Sequence, residues 1–219
     1  MSRIEQDFLG QREIGDDVYY GVQTIRGKEN FHITGIPMNQ EPYFVKALGY
    51  VKKAAAMAKW QAGAPGGQGR GRGIAFARYK NKAAYSAVVI ELSVDEEIRL
   101  HHVWCAVDAG LVVNPDGVIN QVEGGIIQSA SWVLKEQVRF DNGVASFDWE
   151  TYPVLKFSEV PEIDIELINT KDEIPLGVGE VTAGPTAAAI GNAVSHALGA
   201  RIRDLPLTRE RIMAALLKE

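Results

Sequence analysis

Only one cysteine, Cys105, occurs among the 219 residues. That scarcity excludes an internal disulfide and a self-contained iron–sulfur cluster, which needs several thiolates. Cys105 lies in the apolar run His102-Val103-Trp104-Cys105-Ala106-Val107, the setting of a buried structural thiol. Positive charge is also short, since 23 Lys and Arg stand against 28 Asp and Glu for a net charge of -5. That balance argues against nucleic acid or an anionic membrane as a general partner. No apolar run approaches the roughly 20 residues that a bilayer-spanning helix needs. The opening Met1-Ser2-Arg3-Ile4-Glu5-Gln6-Asp7 is polar and acidic, unlike a secretory leader. A soluble, cytoplasmic protein is expected. Histidines are few. His101 and His102 are adjacent, and neighbours on a strand point to opposite faces, so they cannot chelate one ion together. His32 and His196 stand alone and receive no role, and no Cys/His/carboxylate cluster has zinc spacing.

With 46% apolar residues the chain has enough to build a core. Residues 1–42 show little periodicity and read as turns and short strands. A helix is expected over residues 41–61, with Phe44, Leu48, Val51, Ala55 and Ala58 on one face at steps of four and three. That face must pack elsewhere or make the chain a homo-oligomer. Six glycines and one proline among residues 63–73 cannot hold a helix, and the segment matches no phosphate-loop pattern in register. It reads as a flexible linker. Strand signals follow in residues 74–78, 85–94 and 98–107, and Ile163-Asp164-Ile165-Glu166-Leu167-Ile168 alternates as a half-exposed strand. A helix over residues 120–137 places Val122, Ile126, Ala130, Val133 and Leu134 on one side. Another runs from Pro185 to Leu198 and ends at Gly199. A last one starts after the N-cap Thr208 and buries Ile212, Ala215 and Leu216. The expected class is α+β with a mixed sheet: residues 1–60 as an N-terminal fragment, 61–73 as linker, and 74–219 as the main domain.

Glu180 ends the run Leu176-Gly177-Val178-Gly179-Glu180 and directly precedes a small-residue helix pattern. Glycines allow a backbone to approach a bulky cofactor closely, and a carboxylate there can act as a general base. A first-turn acid favoured by the helix dipole is the alternative. Gln121 offers amide donors and an acceptor ahead of Gly124 and Gly125; the alternative is a helix cap from Asn120 or Gln121. Gly179, Glu180, Val181 and Thr182 lead into a helix and can present backbone N–H groups to an anionic group.

Three stretches resemble the C-terminal part of the molybdenum-binding large subunit of the xanthine dehydrogenase/aldehyde oxidase family, in the aldehyde and isoquinoline oxidoreductase style. They are Gly69-Arg70-Gly71-Arg72-Gly73-Ile74-Ala75-Phe76-Ala77-Arg78-Tyr79-Lys80-Asn81, the run from Val107-Asp108-Ala109-Gly110 to Gln121-Val122-Glu123-Gly124-Gly125, and the segment from Gly177 to Gly184. The resemblance covers residues 60–219. It implies a molybdenum–pterin cofactor, as such or as a cytosine dinucleotide, held without protein ligands to the metal. Gln121, Gly124, Gly179, Val181 and Thr182 would bind it. Glu180 would be the base in hydroxylation of an aldehyde or N-heterocycle, with water as oxygen source. It further implies an iron–sulfur subunit and upstream parts of the large subunit, neither of which is encoded in this sequence.

Residues 1–58 resemble a different family, the N-terminus of the aspartase/fumarase enzymes in its aspartase branch. The carrying residues are Arg3-Ile4-Glu5-Gln6-Asp7-Phe8-Leu9-Gly10, Tyr19-Tyr20-Gly21-Val22-Gln23-Thr24-Ile25-Arg26-Gly27-Lys28-Glu29-Asn30-Phe31 and Val51-Lys52-Lys53-Ala54-Ala55-Ala56-Met57-Ala58. Thr24, Arg26 and Asn30 match a signature near that family's substrate and subunit-contact region. The parts that supply its base and signature loop lie later in sequence and are missing. The chain therefore reads as two unrelated fragments joined near Ala58: a molybdenum-hydroxylase piece, with a non-catalytic fusion or an aspartate ammonia-lyase-related protein as the alternatives.

Overall fold

The computed structural model describes residues 2–30, 40, 42–81 and 83–217. His32 and part of the segment preceding Pro42 lie outside the described residues. The chain forms two compact units, Met1–Val45 and Lys46–Glu219.

The first unit contains an antiparallel hairpin, β1 (Ser2–Asp7) and β2 (Gly10–Gly15), and helix α1 (Val22–Asn30). Among its described residues, Ile14 and Val22 are the buried hydrophobic ones. Charged hydrogen bonds do much of the ordering. Arg26 grips the Asp7 carboxylate with two nitrogens at 2.9 and 3.0 Å. Arg3 donates to the carbonyls of Gly15, Val18 and Tyr20. The Arg26 guanidinium, donating to Asp7, holds that carboxyl below its ordinary range.

The second unit is a four-stranded mixed sheet in the order β3–β4–β5–β6, with β3 (Arg70–Arg78), β4 (Tyr85–Val94), β5 (Ile98–Asp108) and β6 (Glu162–Ile168). The first two pairings are antiparallel, and β5 pairs with β6 in parallel. A parallel pair needs a crossover. Helix α3 (Pro115–Leu134) lies within it. Both faces of the sheet are covered, which explains the nearly continuous apolar runs of the central strands. Val88, Ile90, Leu92, Val103, Cys105 and Val107 pack against α3 and helix α4 (Ala183–Leu198). Tyr85, Ala87, Val89 and Ala106 face the opposite way, toward helix α2 (Pro42–Met57) and Ala58. Helix α5 (Arg209–Leu216) closes the described chain, capped by Thr208, whose hydroxyl accepts from the Arg211 N–H. The architecture is α+β, as the sequence patterns suggest.

Four expectations change. Residues 70–73 are strand, so the glycine-rich segment does not continue as a linker to residue 73. Gly71 and Gly73 face α4 so closely that a Cβ would lie 2.0 Å from the Ala193 carbonyl oxygen and 2.1 Å from that of Ala189. Their function is close packing. Tyr50 and Ala54 of α2, with Ala58 just beyond it, are buried against the sheet and Val51 packs beside them, whereas Phe44 and Leu48 are 41% and 50% exposed. The sheet takes a face turned partly from the one that the four-and-three spacing picks out, sharing Val51 and Ala58 with it. Leu216, expected in the core, is 36% exposed; Ile212 is the buried residue of α5.

Finally, His196 has a structural task. Its Nδ1 accepts from the Arg72 N–H at 3.0 Å, so its Nε2 carries the proton donated to the Ala64 carbonyl at 3.0 Å. Asn192 donates to the Ile74 carbonyl. These side chains occupy polar backbone groups along the outer edge of β3, which would otherwise invite another strand.

Cys105 is fully buried, and burial pushes its thiol up to about 12. The thiolate is the reactive form, so the native protein is predicted to resist a thiol-specific disulfide reagent at pH 8 and to react on denaturation. Rapid stoichiometric labelling of the folded chain would contradict this placement.

Candidate functional site

Residues far apart in sequence meet at the start of α4. Asn114 caps α3, its side-chain oxygen accepting from the Gly117 N–H at 3.1 Å, and Pro115 occupies the first turn. Gln121 is therefore inside the helix, which overturns its alternative reading as a cap. Its side chain is exposed, and Nε2 donates to the Gly179 carbonyl at 2.7 Å. The amide oxygen and the second N–H make no hydrogen bond within the described residues.

Glu180 is exposed and accepts a 3.1 Å hydrogen bond from the Tyr79 hydroxyl. Tyr79 stands in the turn after β3, and that turn is tied to the same segment through Ala84 N–H donating to the Gly177 carbonyl. Sequence reading gave Tyr79 no role. It lies 101 residues from Glu180, a separation that no local pattern can bridge.

Val181 and Thr182 point inward, 2% and 1% exposed. Val181 joins the core, and the Thr182 hydroxyl donates to the Val122 carbonyl. Both residues, backbone included, are thus turned away from a surface ligand. Gly125 packs against Thr182, where a Cβ would come within 2.5 Å of the hydroxyl oxygen. Gly124 and Gly177 differ, since a Cβ on either would meet nothing within 4 Å. At Gly179 it would meet only the Tyr79 hydroxyl oxygen, at an ordinary 3.6 Å. Gly124 gains nothing from packing and sits inside a helix, where glycine costs about 1 kcal/mol relative to alanine.

The backbone N–H groups of Gly179, Glu180 and Thr182 have no hydrogen-bond partner among the described residues. Open glycine surface, unpaired N–H groups, a free amide edge and an exposed carboxylate converge at one place. That combination fits a large, partly anionic, planar group. An adjoining cleft of about 390 Å³ is lined by Val113, Asn114, Gln121, Leu176 and Gly179. A larger cavity of about 830 Å³ lies elsewhere, along Trp60, Arg70, Arg72, His196 and Arg201. Size alone does not make it the site: Arg72 is engaged by Glu91 and the Ala58 carbonyl, and neither Gln121 nor Glu180 borders it. Among the described residues, no group of three or more His, Cys, Asp or Glu is placed to hold a metal ion. No described helix is long and apolar enough to cross a membrane.

Residues 36–161 match the molybdopterin cofactor-binding domain, so the chain belongs to that family. The match includes Gln121 and Gly124 and ends before Glu180; it also begins ahead of the join expected near Ala58.

Among curated proteins, the chain is similar to a subunit of nicotinate dehydrogenase from Pseudomonas putida, with 44% identity over 188 residues, covering 78% of this chain and 16% of that protein. It is 37% identical over 162 residues to the beta subunit of isoquinoline 1-oxidoreductase from Brevundimonas diminuta, covering 72% and 20%. The chain thus spans about a fifth or less of the length of these relatives. Among solved structures, quinoline 2-oxidoreductase from Pseudomonas putida 86 aligns with a TM-score of 0.56 and 27% identity, covering 62% of this chain and 19% of that one. A separate, shorter similarity is to aspartate ammonia-lyase of Helicobacter pylori, 56% identical over 61 residues but covering 13% of that protein.

Proposed function

We propose that this chain is the cofactor-facing segment of a molybdopterin-dependent hydroxylase acting on an aldehyde or an electron-poor N-heterocycle. The observation that carries the proposal is the 2.7 Å hydrogen bond from Gln121 to Gly179, which joins the α3 glycine surface to the turn bearing Glu180. When bound, the molybdenum–pterin group supplies a two-electron acceptor. Gln121 would hold the pterin edge, while Gly124 and Gly179 leave room for it. The N–H groups of the exposed Gly179 and Glu180 would face its anionic part. Glu180, oriented by Tyr79, would take a proton as the oxygen of water adds to the substrate carbon. The balance for an aldehyde is substrate plus water to carboxylic acid, two protons and two electrons. The electrons require an iron–sulfur partner, and further segments of the large subunit would complete the substrate pocket.

A specific observation favours a second reading: the 61-residue similarity to aspartate ammonia-lyase. On that reading the chain is a non-catalytic fusion that folds, or oligomerises, without cofactor. The two are separated by molybdenum analysis and pterin fluorescence on protein purified under native conditions from a cofactor-competent host, expressed both alone and with the missing segments. Nucleotide released on hydrolysis tests for the cytosine dinucleotide form. Near-stoichiometric molybdenum and pterin support the first reading, and their absence in both expressions supports the second. Gly124→Ala sharpens the test. It is expected to stabilise the cofactor-free chain by about 0.5–1 kcal/mol through helix propensity and to abolish pterin retention. Full retention would mean that the Gly124 surface does not face the cofactor.

A further inference from the structure

We infer that helix α2, although its sequence resembles a lyase, is the brace that sets the geometry of the Gln121–Gly179 site, with Tyr50 and Lys46 as its positioning residues. The inference rests on the reading of that site as the cofactor site.

Two loops deliver the site residues. Residues 109–114 run from β5 into α3 and hence to Gln121, while residues 169–176 run from β6 toward Gly179 and Glu180. They are laced together: Leu176 N–H donates to the Ala109 carbonyl at 2.8 Å, Thr170 N–H to that of Gly110 at 3.1 Å, and Leu111 N–H to that of Glu173 at 3.3 Å. They also run very close, since a Cβ on Gly110, whose φ is +66°, would lie 2.1 Å from the Ile174 carbonyl oxygen. Apolar burial anchors only part of each loop: Ala109 and Val112 are buried and Leu176 packs against the core, while Val113 and Ile174 are 75% and 76% exposed. Hydrogen bonds between the loops add to that packing and fix their register.

Helix α2 reaches both loops. The Tyr50 hydroxyl donates to one oxygen of the buried Asp108 carboxylate, and the other oxygen takes the Gly110 N–H at 2.8 Å. Without Tyr50, that first oxygen would lose its side-chain donor inside the fold, where an unmatched charged group is costly. Lys46 pairs with Glu173 on the second loop. The Tyr50 ring is seated against Tyr85 and Phe76, with centroids 5.2 and 6.4 Å away, so its hydroxyl is aimed rather than free. Burial, and then the bond to Asp108, hold that hydroxyl far above the ordinary phenol range, so it remains a donor at working pH. Lys46 and Tyr50 both precede Ala58. The join between the two sequence resemblances thus falls after the brace, and the site draws on residues from both sides of it.

The test uses the full chain without cofactor and measures amide hydrogen exchange by NMR. Tyr50→Phe keeps the ring and removes only the donor. Amides of Gly110, Leu111, Thr170 and Leu176 are expected to exchange at least about tenfold faster, as loss of a hydrogen bond to a charged acceptor implies. The Gln121 side-chain amide resonance should shift, and the sheet amides of Val88 and Val103 should keep their rates. Leu48→Ser, on the exposed side of α2, should leave the loops unchanged. Unchanged loop rates in Tyr50→Phe, or a rise shared by every amide, would overturn the inference. If Tyr50→Phe does not fold, Lys46→Met at its partly exposed ion pair carries the same test at Leu111 and Glu173, with a severalfold local rise expected and a flat response overturning it. Because no cofactor is present, a negative result leaves the cofactor reading to its own test by molybdenum content.

Discussion

Glu180→Gln, in the chain assembled with the remaining segments of a large subunit and an iron–sulfur partner, is expected to lower turnover by about 10²–10⁴-fold, the range for loss of a positioned acid–base group. The amide matches the carboxylate in size and still accepts from the Tyr79 hydroxyl, which lies 3.1 Å from the Glu180 oxygen. Only the capacity to take a proton is lost. Since Glu180 is exposed, unfolding should change by no more than about 0.5 kcal/mol, as for most surface substitutions. Tyr79→Phe removes the hydroxyl donor but leaves the proposed base, so a smaller loss, on the order of tenfold, is expected. Steady-state rates and thermal unfolding of both variants decide the matter. A Glu180→Gln protein with full activity would end the base assignment, and one that fails to fold would show that the residue supports the turn.

The second large effect concerns stability. Gly73→Ala would set a methyl carbon 2.1 Å from the Ala189 carbonyl oxygen and 2.4 Å from the Ala193 nitrogen. Both are helix backbone atoms, which cannot swing aside as a flexible side chain can. Helix α4 would have to lift from β3, loosening a core in which Ala189, Ile190, Ala193 and Val194 are wholly buried. A clash with backbone puts the cost at about 3 kcal/mol, the upper end of the usual range for overpacking. For a body of this size, that lowers Tm by roughly 6–12 °C. Calorimetry on Gly73→Ala beside Gly124→Ala gives opposite signs on this account. A Gly73→Ala protein that melts with the parent would return residues 70–73 to a loosely packed segment.

Much of the architecture was legible because local rules and packing agree. The β-branched run over residues 85–94 and the apolar run over 98–107 form the two central strands of the sheet. Gly199 ended α4 in the left-handed conformation, at a φ of 76°, where glycine lacks the usual steric penalty. Thr208 capped α5. Mistakes arose where composition had two meanings. Glycines at 71 and 73 suggest flexibility by count, yet the same missing side chain permits a helix to pack against a strand. On α2, small and large apolar residues lie all round the helix, so the face chosen by the sheet was invisible to spacing.

The candidate site divides in the same way. The sequence by itself determined its ingredients: a carboxylate behind two glycines, an amide ahead of two more, and a small-residue helix pattern after the carboxylate. Those are properties of short segments, where backbone freedom and side-chain chemistry are set by neighbouring residues. Only the tertiary structure decided that Gln121 reaches Gly179, that Tyr79 reaches Glu180, and that Thr182 turns inward against Gly125. Each of these depends on how α3, α4 and the end of β3 pack on one sheet. Packing sums many weak contacts between residues distant in the chain, so it leaves no periodicity or spacing from which those meetings could be read.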